Sequence, residues 1–207
     1  MKMLVAVPCG DMCYIDFTRS CLSMQHVGEV QYFFAQGSLV YDARNQLADI
    51  AIDHGFDRVL WLDSDMAFPP DTMLRLSADI DNGADLVTAL CFTRKRPIKS
   101  TIYSAIYTDD AGIPHADAFT EWPDEVFPVA GCGFAVTMCT TDLLRRIRDT
   151  YKRPFSPIAG YGEDLSFCLR AKELGATMCC DPSMRIGHVG IAVYTEDAFK
   201  IEKEARK

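Results

Sequence analysis

The 207-residue sequence lacks any apolar run of the roughly 18 to 20 residues needed to cross a bilayer, so a membrane-spanning helix is not expected. Its first residues are too short an apolar stretch for a signal-peptide core, and no small-residue cleavage pattern follows them, so a cytoplasmic protein is expected. No C-x-x-C occurs among the nine cysteines, which removes the usual zinc-knuckle spacing. The count is odd, and most of the cysteines fall inside apolar runs, as buried thiols do and a disulfide framework does not. A glycine-rich loop ending in Lys-Ser or Lys-Thr is also missing, which argues against a kinase or ATPase. Internal repeats, low-complexity tracts and Pro/Gly/Ser linkers are absent, so one compact domain over 1–207 is expected. A surplus of positive charge is absent too. With 21 basic against 29 acidic residues and a net charge of -8, broad sequence-independent binding to nucleic acid or anionic lipid is disfavoured.

What is present is an alternation of short apolar runs and helical periodicities. Met3–Pro8, Gln31–Phe34, Arg58–Leu62, Leu86–Phe92, Thr101–Tyr107 and Thr177–Cys180 read as strands. Phe127–Cys139 reads as one strand bent at Gly131 and Gly133, where a ligand could approach the backbone. Helices are predicted over Phe17–Met24, from Asp42 to a stop at Gly55, after Pro69-Pro70-Asp71, and over Thr141–Tyr151 and Glu163–Leu174. A charged helical tail closes the chain. The pattern predicts an α/β fold with a mixed, mainly parallel central sheet flanked by helices.

Open α/β sheets bind ligands beyond the carboxyl ends of their strands, and Asp63-Ser64-Asp65 follows Arg58–Leu62 directly. In an extended segment the i, i+2 spacing points both carboxylates the same way, and a divalent ion holding phosphate oxygens would relieve their repulsion. Asp is also a common turn residue after a strand, so the motif alone leaves both readings open. Glu163 and Asp164 open a helix, where acidic residues are favoured by the macrodipole whatever else they do. A lone histidine is usually structural. His188, however, stands in Gly187-His188-Val189-Gly190, a segment with little packing or helix propensity, and imidazole with carboxylate suits manganese or a related ion.

The ordered set VAVPCG, DARNQLADIAIDHGFDRVLWLDSDM, ALCFTRKRP, VAGCGFAVTM and YGEDLSFCLRAKELGATMCCDPSMRIGHVG resembles the GT-A-fold nucleotide-sugar glycosyltransferases, specifically the small family-2-like bacterial and phage enzymes. The resemblance runs from Val5 to Gly190, and its last stretch is the most specific. It implies a GT-A fold, a nucleoside diphosphate sugar donor of UDP or GDP type, a hydroxyl acceptor and a divalent metal, Mn2+ or Mg2+. Asp65 would ligate the metal with His188, and Asp63 would face the ribose or the metal shell. Pro8, Cys9, Arg44, Asn45 and Ser64 would help hold the donor. Gly131 and Gly133 would line the sugar and acceptor pocket, and Trp122 would stack on an acceptor sugar or nucleobase. Asp164 matches the general base of inverting members, with Glu163 beside it. Residues 1–92 would form the nucleotide-sugar half, 93–190 the acceptor and catalytic half, and 191–207 a helical tail.

Two further readings compete. A non-catalytic nucleotide-sugar or glycan-binding module would keep the fold without turnover. The basic runs Arg94-Lys95-Arg96 and Arg145-Arg146-Ile147-Arg148, with Lys152-Arg153, would suit a polyanionic acceptor such as hydroxymethylated phage DNA, or form diphosphate contacts and a solvated helix face. A phosphatase or nucleotidyltransferase is disfavoured because the acidic pair follows a later strand and precedes Met66-Ala67-Phe68.

Overall fold

The computed structural model describes residues 1–37, 39–190 and 195–205. Seven strands form the central sheet in the order β2-β1-β3-β10-β5-β11-β8. They are β1 (Lys2–Cys9), β2 (Glu29–Gln36), β3 (Arg58–Leu62), β5 (Leu86–Ala89), β8 (Phe127–Pro128), β10 (Val136–Thr140) and β11 (Met178–Asp181). β1, β2, β3, β5 and β11 point one way, whereas β8 and β10 run against them. This is the mixed, mostly parallel sheet that the alternating pattern predicts.

Strand alternation divides the core into two layers, one on each face. In β3, Val59 and Trp61 join the layer that contains Leu47 of α2 (Val40–Asp53), Leu143 of α4 (Thr141–Tyr151) and Phe167 of α5 (Glu163–Glu173). Leu60 and Leu62 enter the opposite layer with Phe17 of α1 (Ile15–Ser23) and Met73 and Leu76 of α3 (Thr72–Asp81). Both faces of β3 are therefore buried, which is why the run is continuously apolar. Trp61 is fully buried against Phe134 and Phe155, as a core residue. All nine cysteines are free, and Cys91, Cys132, Cys139, Cys168 and Cys180 are buried. Among the described residues no helix is long and apolar enough to cross a membrane.

Two sequence expectations change. The run Leu86–Phe92 leaves the sheet after Ala89, and Phe92 makes only an isolated bridge to Ser100. Phe127–Cys139 is not one bent strand but β8, β9 (Gly131–Cys132) and β10. Of these, β9 belongs to a separate three-stranded sheet with β6 (Ile102–Thr108) and β7 (Pro114–Ala118). Because β10 inserts between β3 and β5, the stretches 1–92 and 93–190 share one sheet. A small ladder that periodicity does not reveal pairs β4 (Met66–Ala67) with β12 (Gly187–His188). Of the charged tail, Glu196–Glu204 forms α6, capped by Thr195 Oγ1 accepting from Ala198 N–H; residues 191–194 and 206–207 lie outside the described residues.

A further acidic pair joins α3 to the carboxyl end of β11. Asp79 Oδ2 on α3 is buried without a donor, and its carboxyl is pushed up to about 6 by burial first and then by the charge of Asp181, itself 4% exposed. Because the folded state holds this proton more tightly than the unfolded chain, its stabilisation is full below the ordinary carboxylate range and is lost as pH rises through about 6. Asp79→Asn, which mimics the protonated acid, is expected to raise Tm by about 2–4 °C at pH 7.5 and to change it little at pH 4. Thermal melts at the two pH values check this, and an equal effect at both would refute the shared proton.

Candidate active site

The carboxyl ends of β1 and β3 and the start of β10 meet at one edge of the sheet. Asp63 N–H donates to the Ala135 carbonyl at 2.9 Å, which ties the acidic motif to the segment entering β10. Pro8, Cys9, Asp63, Ser64 and Asp65 line one cleft there of about 240 Å³, together with Gly10, Gly37, Val40 and Ala43. Five residues read from separate parts of the sequence thus share a single cleft.

The β4–β12 ladder closes the site from the distant end of the chain. Met66 pairs with His188, and Val189 N–H donates to the Asp65 carbonyl at 2.7 Å. His188 Nε2 consequently lies 3.2 Å from Asp65 Oδ2, while Nδ1 lies 2.8 Å from the Phe92 carbonyl. A carbonyl only accepts, so Nδ1 bears the proton and donates to it. In the neutral ring this leaves the Nε2 lone pair aimed at Asp65, the arrangement that orients a metal-ligating imidazole. A proton or a cation between Nε2 and the carboxylate relieves the repulsion of that lone pair. Burial pulls His188 down, yet the hydrogen bonds and the Asp65 charge outweigh it and the ring ends above its ordinary value. Burial likewise pushes Asp65 up, but His188 and then Arg94 hold it below the usual carboxylate range. Arg94 Nη1 reaches Asp65 Oδ2 at 2.7 Å from an exposed loop position, a site contact that a basic run alone does not distinguish from a solvated face.

Asp63 is held differently. Its Oδ1 accepts from Arg44 Nη2 at 2.8 Å, and burial, opposed by Arg44, still leaves its carboxyl raised. Arg44 is 2% exposed, lies over the rings of Trp61, Phe134 and Phe155, and points Nε to within 3.5 Å of Glu163 Oε1. Asn45 is 1% exposed, and its side-chain oxygen accepts from Phe155 N–H at 2.9 Å. Neither lines the cleft. Both make internal contacts. Arg44 fixes Asp63 and Glu163, and Asn45 fastens α2 to the segment before α5.

Asp164 stands in the first turn of α5, half-buried, with Oδ1 accepting from Leu165 N–H at 2.7 Å. Burial first, and then the neighbouring Glu163 charge, push it up to about 6. Gly133 faces it: a Cβ there would lie 3.7 Å from Asp164 Oδ2 and 3.4 Å from Thr101 Cβ, so a larger side chain would grow across the carboxyl. Gly131 is closely packed. A Cβ on it would lie 2.3 Å from Ile106 Cδ1 and 3.1 Å from Cys168 Cβ, so it is a packing glycine between β6 and α5. The half-buried Trp122 ring packs against Phe92 and Phe199 at centroid separations of 5.7 and 5.4 Å. Glu163 Oε1 is engaged by Arg44 Nε.

The second basic run is consumed internally. Arg145, Arg146, Arg148 and Arg153 pair with Asp142, Asp85, Asp53 and Asp42 at 3.5, 2.9, 2.8 and 2.8 Å. They are a salt-bridged surface, not a free cationic stripe for a polyanion.

Among the described residues no group of three or more His, Cys, Asp or Glu side chains is arranged to hold a metal. Asp65 and His188 supply two donors, an oxygen and a nitrogen, of the kinds that Mn2+ accepts.

The sequence matches no family model and no curated protein. Solved structures do match. The A197 protein from STIV aligns over 96% of this chain and 92% of its own, with a TM-score of 0.65 and 19% identity. GalNAc-T7, a GT-A glycosyltransferase solved with UDP, GalNAc and Mn2+, aligns over 96% of this chain and 45% of its own, with a TM-score of 0.64 and 12% identity. The fold is GT-A-like. At these identities the likeness extends to the fold alone. The cleft and the acidic motif lie at the carboxyl edge of the parallel strands.

Proposed function

We propose that the protein is a glycosyltransferase that moves a sugar from a nucleoside diphosphate sugar, of UDP or GDP type, to a hydroxyl acceptor, with inversion. The observation that supports it most is the meeting of Asp65 and His188, 123 residues apart, with the imidazole tautomer set by the Phe92 carbonyl. In this reading Pro8, Cys9 and Ser64 border the nucleotide and Asp63 faces the ribose, so residues 1–92 provide most of the donor side. Residues 93–190 provide the acceptor side and return His188 to the donor. Asp65 and His188 would hold Mn2+ or Mg2+, and Arg94, which pairs with Asp65, would face the diphosphate. The ion, when bound, supplies Lewis-acid stabilisation of the negative charge that grows on the departing diphosphate. Asp164 accepts the proton of the attacking hydroxyl. The unpaired thiols suit a reducing cytoplasm.

Thermal shift with UDP, GDP and CDP, with and without Mn2+, tests the donor side. A metal-dependent rise in Tm is expected with at least one nucleotide, and Asp65→Ala should abolish it. An Asp65→Ala protein that keeps the metal-dependent rise would remove Asp65 from the ion site. Stabilisation without donor hydrolysis or transfer would favour a binding module.

A further inference from the structure

A second and larger cavity, of about 640 Å³, is lined by none of the residues given roles above. Ile98, Tyr103, Ala116, Ala118, Phe119 and Phe199 form its apolar walls, with Lys99 and Asp117 exposed at its mouth. Its volume is that of a small-molecule site. The segment 92–103 joins it to the candidate active site. In that segment the Phe92 carbonyl receives His188, Arg94 reaches Asp65, and Thr101 lies against Gly133 beside Asp164. Thr93, Ile98, Lys99, Ser100 and Tyr103 of the same segment line the cavity. Burial raises the Tyr103 phenol, and the Asp164 charge raises it further.

The polar chemistry of the lining narrows the occupant. Ser100 Oγ already donates to the Phe119 carbonyl, Thr93 Oγ1 accepts from Lys99 N–H, and Lys203 Nζ is spent on the Thr120 carbonyl and Glu121. A bare sugar, which needs several hydrogen bonds along its ring, finds those groups engaged. The Tyr103 hydroxyl makes no hydrogen bond among the described residues and remains for a ligand.

We propose that this cavity receives the apolar body of the acceptor, an alcohol or glycoside with an alkyl or aryl portion, and presents its hydroxyl at the Tyr103 end toward Asp164. The acceptor role rests on reading Asp164 as the base. In the transfer the acceptor O–H bond breaks and its proton passes to the Asp164 carboxylate. The acceptor oxygen bonds to the anomeric carbon, and the carbon–oxygen bond to the diphosphate breaks, its electron pair leaving with the nucleoside diphosphate.

Equilibrium binding of octyl β-D-glucoside, below its micelle concentration, is compared with methyl β-D-glucoside, which has the same hydroxyls without the apolar chain. The octyl compound is expected to bind the full chain at least tenfold tighter, since burying only two methylene groups is worth about that factor. Ala118→Trp, which fills the cavity, should bring the octyl compound to the methyl level while the Mn2+-dependent shift with nucleotide is unchanged. Equal affinity of the two glucosides for the unaltered protein, or an octyl affinity untouched by Ala118→Trp, would overturn the proposal. If Ala118→Trp fails to fold, nuclear Overhauser contacts from the octyl chain to the Phe119 and Phe199 rings of the unaltered protein decide it; contacts are expected, and their absence overturns it. Failure of every nucleotide to stabilise the protein, with these results otherwise as expected, would strike the glycosyl-transfer reading and the acceptor role while leaving an apolar ligand site.

Discussion

Asp164→Asn is expected to lower turnover by about 10²–10⁴-fold while leaving metal-dependent nucleotide affinity unchanged. Asparagine keeps the shape and the contact with Leu165 N–H but cannot take a proton. Asp164 is pushed up to about 6 by burial and by the Glu163 charge, so the unaltered enzyme should show an acid limb there. The sign follows from the chemistry: below about 6 the carboxyl is protonated and cannot act as a base, so kcat/KM should fall tenfold per pH unit as pH drops further. Glu163→Gln removes a neighbouring negative charge, and its limb should move to lower pH. Near-normal turnover in Asp164→Asn, or a flat profile between pH 5 and 7, would exclude Asp164 as the base.

The second large effect concerns stability. Arg44→Met should lower Tm by about 10 °C, corresponding to about 3 kcal/mol for a chain of this length. Methionine fills much of the space among Trp61, Phe134 and Phe155, so the loss reports the carboxylates left behind more than a cavity. Asp63 and Glu163 would then face each other's charge without the guanidinium between them. The low end of the usual cost is expected because the Asp63 side chain keeps 32% of its exposure and solvent screens it. Removing the cation raises Asp63 further, so the deficit should shrink as pH falls toward 4 and its protonation relieves the repulsion. Chemical denaturation at pH 7.5 and pH 4.5 measures this, and a deficit that does not change with pH would mean that packing alone, not charge, makes Arg44 necessary.

The local patterns most legible in the sequence are those with a strict period or a strict position. The apolar runs of β1 and β3 are continuous because both faces are covered, and Asp63 and Asp65 lie at a strand tip where parallel sheets open to ligands. Residue type alone carries no direction. Arg44 and Asn45 have the residue types of a donor site, yet their place on α2 turns them inward to Asp63 and Phe155. Gly131 and Gly133, two residues apart, look alike in sequence and do opposite things: one admits Ile106 and Cys168, the other leaves room beside Asp164. Arg94 shares a basic run with Lys95 and Arg96, and only its contact with Asp65 sets it apart.

Composition and periodicity by themselves determined an α/β domain with a mainly parallel sheet, free thiols and an acidic strand tip, because burial on one or two faces writes a period into the chain. The tertiary structure decided what no period encodes. Two residue pairs of the β4–β12 ladder carry His188 to Asp65, and the insertion of β10 between β3 and β5 sets Gly133 against the first turn of α5. Such contacts depend on where long connections bring their ends, and loop closure over a hundred residues leaves no local trace in sequence.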